Sequence, residues 1–267
     1  MHKFYYVTVA TGKDFINTYT KYAIRSLIKA GMSPSDIHVV GNGKDDVNLL
    51  RNKVPDVNIY KIKEDLSHVT WTVFSGKRKY SLFKAAALYK VFTKPVPGQC
   101  MIYFDGDVLF YKNPTSFFET KCDKTWFHHG KDLAKRASIS KDKVDITSFD
   151  SLQKWISAPC AHLMVKHGAK RIPDREVVAG FYLLHPRDHE QVLRLTYEYC
   201  IENADKFAKH EGAGDQKPMN AALSVANIDW HGGSRFLCPE HKDYFDHFFG
   251  KKNMKDEFRR KAKQIGL

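Results

Sequence analysis

Acidic charge is the first shortage in this sequence: 30 Asp and Glu stand against 43 Lys and Arg, a formal net charge of +13 over 267 residues. That imbalance predicts attraction to a polyanion, whether nucleic acid, anionic lipid or an acidic sugar polymer, without choosing among them. Cysteine is also scarce. Cys100, Cys122, Cys160, Cys200 and Cys238 stand far apart with no Cys-x-x-Cys pair, which argues against a cysteine zinc site and fits reduced core thiols better than disulfides. No uninterrupted apolar stretch is long enough to cross a bilayer, and Met1-His2-Lys3 leads directly into a strand-like run without a signal-peptide core. The expected location is cytoplasmic, with room for peripheral attachment to a membrane surface. The phosphate loop Gly-x-x-x-x-Gly-Lys-Ser/Thr is missing, as is a glycine-rich pyrophosphorylase-type opening, and both absences argue against a nucleotidyl or phosphoryl transferase. A long linker, an internal repeat and low-complexity runs are missing as well. With 43% hydrophobic and 13% aromatic residues, the chain can bury a sizeable core. We expect one domain over residues 1–240 and a basic, aromatic extension over residues 241–267.

What is present centres on residues 99–114, QCMIYFDGDVLFYKNP. Asp105 and Asp107 follow the apolar run Met101-Ile102-Tyr103-Phe104 and precede Val108-Leu109-Phe110, so a pair of carboxylates sits at the edge of a buried strand. Each loses hydration as the strand packs and must regain a partner. On an extended segment Asp-x-Asp points both side chains to one face, Gly106 permits close approach to the backbone, and hard oxygen ligands suit Mg²⁺ or Mn²⁺. The alternative is a solvated turn, since Asp and Gly are common turn residues. A nucleic-acid-binding protein without catalysis would account for the charge but leave the buried-strand aspartates unexplained.

The remaining pattern predicts an α/β chain. Residues 4–10, 37–40 and 58–62 are short apolar strands, and residues 14–29 and 80–92 carry helical spacing. Alternation of strand and helix implies a mostly parallel sheet that binds ligands at the carboxyl ends of its strands, where Thr11-Gly12 and Gly41-Asn42 fall. On the helix over 80–92, Lys84 borders the apolar stripe, either as a phosphate partner or as a snorkelling surface lysine. Residues 122–151 read as an insertion of loops and short helices with His128 and His129 exposed. Residues 177–184 read as a strand and residues 188–203 as a helix. Asp215 is placed as a helix N-cap, with Pro218 in the first turn, which leaves Gln216 unexplained. A last strand over 225–230 delivers His231-Gly232-Gly233-Ser234-Arg235, and a lone histidine there is either structural or a ligand. The tail over 241–263 combines aromatics with Lys251, Lys252, Arg259, Arg260, Lys261 and Lys263, the composition of an amphipathic helix at an anionic membrane.

Four of these pieces, Ala10-Thr11-Gly12, Asp105-Gly106-Asp107 with Asn113-Pro114, Gly214-Asp215-Gln216-x-x-Met219-Asn220, and His231-Gly232, occur in the order found in metal-dependent GT-A glycosyltransferases. Over residues 4–236 the chain most resembles the glycogenin-like retaining family that includes bacterial lipopolysaccharide galactosyl- and glucosyltransferases. The resemblance implies a single Rossmann-like GT-A domain, a nucleotide-diphosphate sugar donor, a UDP-sugar above others, and Mn²⁺ (or Mg²⁺). It implies that Asp105, Asp107 and His231 hold the metal and that Asp215 and Gln216 lie beside the anomeric carbon as catalytic residues. Ala10, Thr11, Gly12, Asn42, Lys84, Gly106, Gly232 and Arg235 would contact the donor, and Asp105 and Asp107 would also meet the ribose edge of its nucleotide. Two positions depart from the family: Val178-Ala179-Gly180 lacks its usual Asn or Asp, and no Lys-Pro-Trp follows His231, where Arg235 would take the lysine's place. The implied acceptor is a glycan or glycolipid hydroxyl at an anionic surface, with a modified base in DNA as the alternative.

Overall fold

Aromatic and β-branched residues fill Lys3–Ala10 (β1), and the strand's period of two gives its faces different partners. Tyr5, Val7 and Val9 join one buried cluster, while Phe4, Tyr6 and Ala10 join another. The same division recurs in the strand Gln99–Phe104, where Met101 and Tyr103 oppose Ile102 and Phe104. A strand apolar on both faces must be covered on both, which is the condition of a central strand in a layered α/β fold. The computed structural model describes residues 3–63, 75–135, 137–206, 214–234, 242–248 and 253–267.

The further strands are Ile37–Asn42 (β2), Asn58–Ile62 (β3), Gln99–Phe104 (β4), Val108–Phe110 (β5), Thr125–Asp132 (β6), Arg175–Leu184 (β7), Trp230–Ser234 (β8) and Phe245–His247 (β9). Six of them join β1 in one seven-stranded sheet in the order β3-β2-β1-β4-β7-β6-β8, and β5 pairs with β9 in a small second sheet. Only β7 runs against the rest of the large sheet, so the mostly parallel α/β arrangement expected from the sequence is the one present. Helices cover both faces. The segment from Lys13 to Lys29 packs on the Tyr6 face through Ile16, Ala23, Ile24 and Leu27, while Phe83, Ala87, Val192 and Leu223 from three other helices cover the Tyr5 face.

Three expectations are corrected. Residues 125–132 form a strand of the central sheet, and His128 is fully buried; alternation of Trp126 and Phe127 between the two faces drives this, and the polar neighbours Lys124, His129 and Lys131 disguised it. The last strand begins at Trp230, because the helix Gln216–Val225 runs on until Ala226 and Asn227, the latter at φ 54°, turn the chain. The tail beyond residue 240 is not one amphipathic helix. Phe245 enters the main core against Phe181, with ring centroids 4.2 Å apart, and Phe248 and Phe258 are buried against each other. These rings are therefore committed to the protein interior, not to lipid headgroups. Lys251 and Lys252 lie outside the described residues. Among the described residues no helix is long and apolar enough to cross a membrane.

Candidate metal and donor site

The large sheet ends its β4 strand at Phe104, and Asp105 begins the turn that follows. Its backbone N–H donates to Gly180 O on β7 at 2.8 Å, and Val108 N–H donates back to Asp105 O at 3.2 Å, which closes a tight loop around Gly106. A Cβ on Gly106 would lie 2.7 Å from Thr20 Oγ1 and 2.8 Å from Phe15 Cε1. The close approach that this glycine permits is thus made by the chain's own first helical segment. β5 then pairs Val108 with His247 on β9, and Phe248 N–H donates to Asp107 O at 3.1 Å. This pairing brings His247 Nε2 to 3.3 Å from Asp107 Oδ1, in a place where both side chains are nearly inaccessible to solvent.

Asp105, Asp107 and His247 each offer a ligand atom, and these atoms lie within 4.8 Å of one another. Gly180 makes the convergence possible. A Cβ there would stand 2.6 Å from Asp105 Oδ2 and 2.5 Å from His247 Cε1, closer than packed atoms tolerate, so the strand that departs from the family's usual Asn or Asp keeps the glycine the cluster needs.

Lys84 links this cluster to a third carboxylate. Its ammonium lies 2.7 Å from Asp215 Oδ2 and 3.3 Å from Asp105 Oδ1, donates to Ala179 O at 2.8 Å, and is buried. Tyr103 O–H donates to the same Asp105 oxygen at 2.6 Å. Burial pushes the Lys84 pKa down, yet Asp105 and Asp215 outweigh it and leave the pKa raised. For Asp105 burial is the largest cause and raises the pKa; Asp107 adds to that, while Lys84, His247 and Tyr103 oppose it, and the net direction is upward. Asp105 and Asp215 thus share one ammonium, with Asp107 as a third carboxylate alongside, in a site of low dielectric. The negative excess calls for a proton or a cation. Two carboxylates and an imidazole form a hard, mostly oxygen donor set that fits a divalent cation, and the nitrogen favours Mn²⁺ over Mg²⁺.

The other expected residues fall in several places. Ala10, Thr11 and Gly12 end β1, and Asn42 ends β2, at the same edge of the sheet as Asp105. Gly12 has φ 85°, and its N–H donates to both Asp46 carboxylate oxygens, at 3.1 and 3.2 Å. Asp215 precedes the helix Gln216–Val225 as anticipated, but it is itself in helical conformation and its carboxylate caps nothing; it is turned to Lys84 instead. Gln216 opens that helix, and its carbonyl accepts from Asn220 Nδ2 at 2.7 Å, while Asn220 also clamps both backbone groups of Val177 on β7. Lys84 is held by carboxylates where the sequence suggested a phosphate or solvent.

His231 does not reach the carboxylates. It stands opposite Trp126, Trp126 opposite Leu183, and Leu183 opposite Ile102. His231 is therefore three strand spacings, about 14 Å, from β4, and level with Ile102 rather than Asp105. Its side chain is half exposed and lies 3.5 Å from Asp123. Gly232 follows it on the exposed edge, and Arg235 lies outside the described residues. The histidine that the sequence reading missed is His247. Its only local signal was Gly250 with Lys251 and Lys252 just beyond, which reads as part of a basic tail.

The sheet order, with a single reversed strand and paired carboxylates at the end of β4, is the GT-A architecture of glycosyltransferases, and solved structures of that class align with nearly the whole chain. The galactosyltransferase LgtC, in complex with donor and acceptor sugar analogues, matches at 15% identity over 98% of this chain and 96% of its own, with a TM-score of 0.55. The apo bifunctional glycosyltransferase WbbM matches at 14% identity over 98% of this chain, which spans 50% of WbbM, also with a TM-score of 0.55. No family model and no curated sequence matches. At such identities the likeness is one of fold, and the chemistry rests on this chain's own residues.

Proposed function

We propose that the protein is a metal-dependent glycosyltransferase that moves a sugar from a nucleotide-diphosphate sugar, a UDP-sugar above others, to an acceptor hydroxyl with retention of configuration. The observation that carries this reading is the convergence of Asp105, Asp107 and His247 in a GT-A fold, one ion pair away from Asp215. When bound there, a divalent cation neutralises the donor diphosphate and stabilises the charge that builds on it as it leaves. Ala10, Thr11, Gly12 and Asn42 form the adjoining edge along which the nucleotide lies, as ligands do in open α/β sheets. Lys84 acts as a positioning residue that fixes Asp215 relative to Asp105. Asp215 supplies the negative charge that an oxocarbenium-like sugar requires, by analogy with glycoside hydrolysis, and Gln216 adds an amide beside it. The acceptor belongs to a glycan or glycolipid, and the setting is the cytoplasmic side of an anionic surface. Incubation with a panel of UDP-sugars and Mn²⁺ is expected to release UDP, and NMR of the product to show the donor's anomeric configuration. Absence of UDP release with every donor would remove the proposal, and an inverted anomer would remove retention.

A further inference from the structure

The helix Met254–Gln264 buries Phe258 and Ala262 and presents Lys255, Arg259 and Lys263 one turn apart on another stripe. Like charges at i, i+4 repel and destabilise a helix unless something neutralises them. Among the described residues no carboxylate forms an ion pair with any of the three. They line a cleft of about 590 Å³ whose other wall is the first helical segment, with Asp14, Thr18 and Lys21. Four cationic side chains thus line one cavity in which, among the described residues, Asp14 is the one acidic side chain.

The cleft is joined to the candidate active site through both of its walls. Residues Ile16–Thr20 form a π turn, a helix irregularity that is frequent at functional sites. Thr20 of that turn and Phe15 just before it face Gly106 between the two aspartates, while Thr18 faces the cleft. On the other wall, Phe258 packs on Phe248, which follows His247 and donates its N–H to Asp107 O. Tyr19 of the π turn packs edge-on against Phe258, with ring centroids 5.0 Å apart, and so ties the two walls together.

From this we infer that the cleft between residues 14–21 and the helix Met254–Gln264 is an acceptor subsite for an anionic saccharide, with a phosphate on the sugar held by Lys21, Lys255, Arg259 and Lys263. Asp14 and Thr18 suit the sugar hydroxyls. The inference rests on the glycosyltransferase reading for the role of acceptor, whereas affinity for the anion is measured without donor, metal or turnover. In calorimetric titrations of the metal-free full chain, glucose 6-phosphate is expected to bind and glucose not, with affinity falling as salt rises. The double substitution Arg259→Ala with Lys263→Ala is expected to weaken glucose 6-phosphate at least about tenfold, since charge-assisted bonds are the strong ones. Both side chains are exposed, so the melting temperature is expected to hold, and Lys143→Ala serves as the neutral control. Equal binding of glucose and glucose 6-phosphate, or unchanged binding in the double variant, overturns the inference. Charge-dependent pelleting with phosphatidylglycerol over phosphatidylcholine vesicles, without any glucose 6-phosphate binding, also overturns it and makes the stripe a membrane contact. If sugar-phosphate binding holds while Mn²⁺-dependent UDP release is absent for every donor, the glycosyltransferase reading alone fails.

Discussion

At the scale of single residues, the site is a set of charges that only make sense together. Lys84 is the hinge of that set, because it is buried and shared by Asp105 and Asp215. Lys84→Met leaves two buried carboxylates without their ammonium, and stability is expected to fall by about 3 kcal/mol, the usual cost of breaking a buried pair. Urea denaturation measures it, and Mn²⁺ is expected to recover part of the loss. Asp105 gives the pH dependence. Its pKa is raised in the folded, metal-free chain, so its contribution to stability is present below the ordinary carboxylate pKa and is lost as pH rises through the raised value. Metal and proton compete for that carboxylate. The rise in melting temperature caused by Mn²⁺ is therefore expected to be largest at neutral pH and to shrink as the medium is acidified; an effect independent of pH would contradict a raised Asp105 pKa among the ligands. Gly180→Ala, which forces a Cβ between Asp105 and His247, is expected to weaken Mn²⁺ binding by about 10–100-fold, the range for residues that orient ligands.

Elements explain which parts of this were legible in the sequence. β1, β2 and β4 announce themselves because they lie between helical layers and need apolar residues on both faces, so their runs are nearly unbroken, while the partly exposed edge strand β3 shows itself only by Ile59, Tyr60 and Ile62. Asp105 and Asp107 were legible for the same reason, since charge at the end of such a run has no structural excuse. β6 was not, because Trp126 and Phe127 are the apolar part of an eight-residue strand that continues through His128, His129 and Lys131. β9 was still less so: three residues with an aspartate in the middle carry no period that a reader can detect, and the strand exists only because Phe245 finds Phe181 across a long stretch of chain. His247 inherits its position from that contact, so sequence reasoning assigned the ligand to His231, which also follows aromatics and precedes glycine. Phe245→Ala is expected to destabilise the protein by about 3–5 kcal/mol and, as β9 loosens, to weaken metal binding at temperatures well below the new melting point. Calorimetric melting with and without Mn²⁺ follows both effects; full retention of the Mn²⁺ effect would mean that β9 does not carry the ligand.

For the molecule as a whole, the net charge of +13 was legible but not its address. Part of it lies along the cleft formed with the first helical segment, next to the candidate site, and Phe245, Phe248 and Phe258 of the tail that suggested membrane insertion are interior. The strand ends of β1, β2 and β4 lie on one edge of the sheet with the carboxylates, and the basic cleft shares its helical wall with them; that adjacency is what makes a two-substrate transfer reaction a physical reading of this chain. Asp105, Asp107 and His247, and not His231, are accordingly expected to hold a divalent cation. Electron paramagnetic resonance of Mn²⁺ in the presence of UDP tests it most directly, with the wild type compared with His247→Ala and His231→Ala. One bound Mn²⁺ in the wild type and in His231→Ala, with binding weakened more than about 100-fold in His247→Ala, beyond the cost of an outer partner, is the predicted result. Binding that survives in His247→Ala, or is lost in His231→Ala, would contradict the account.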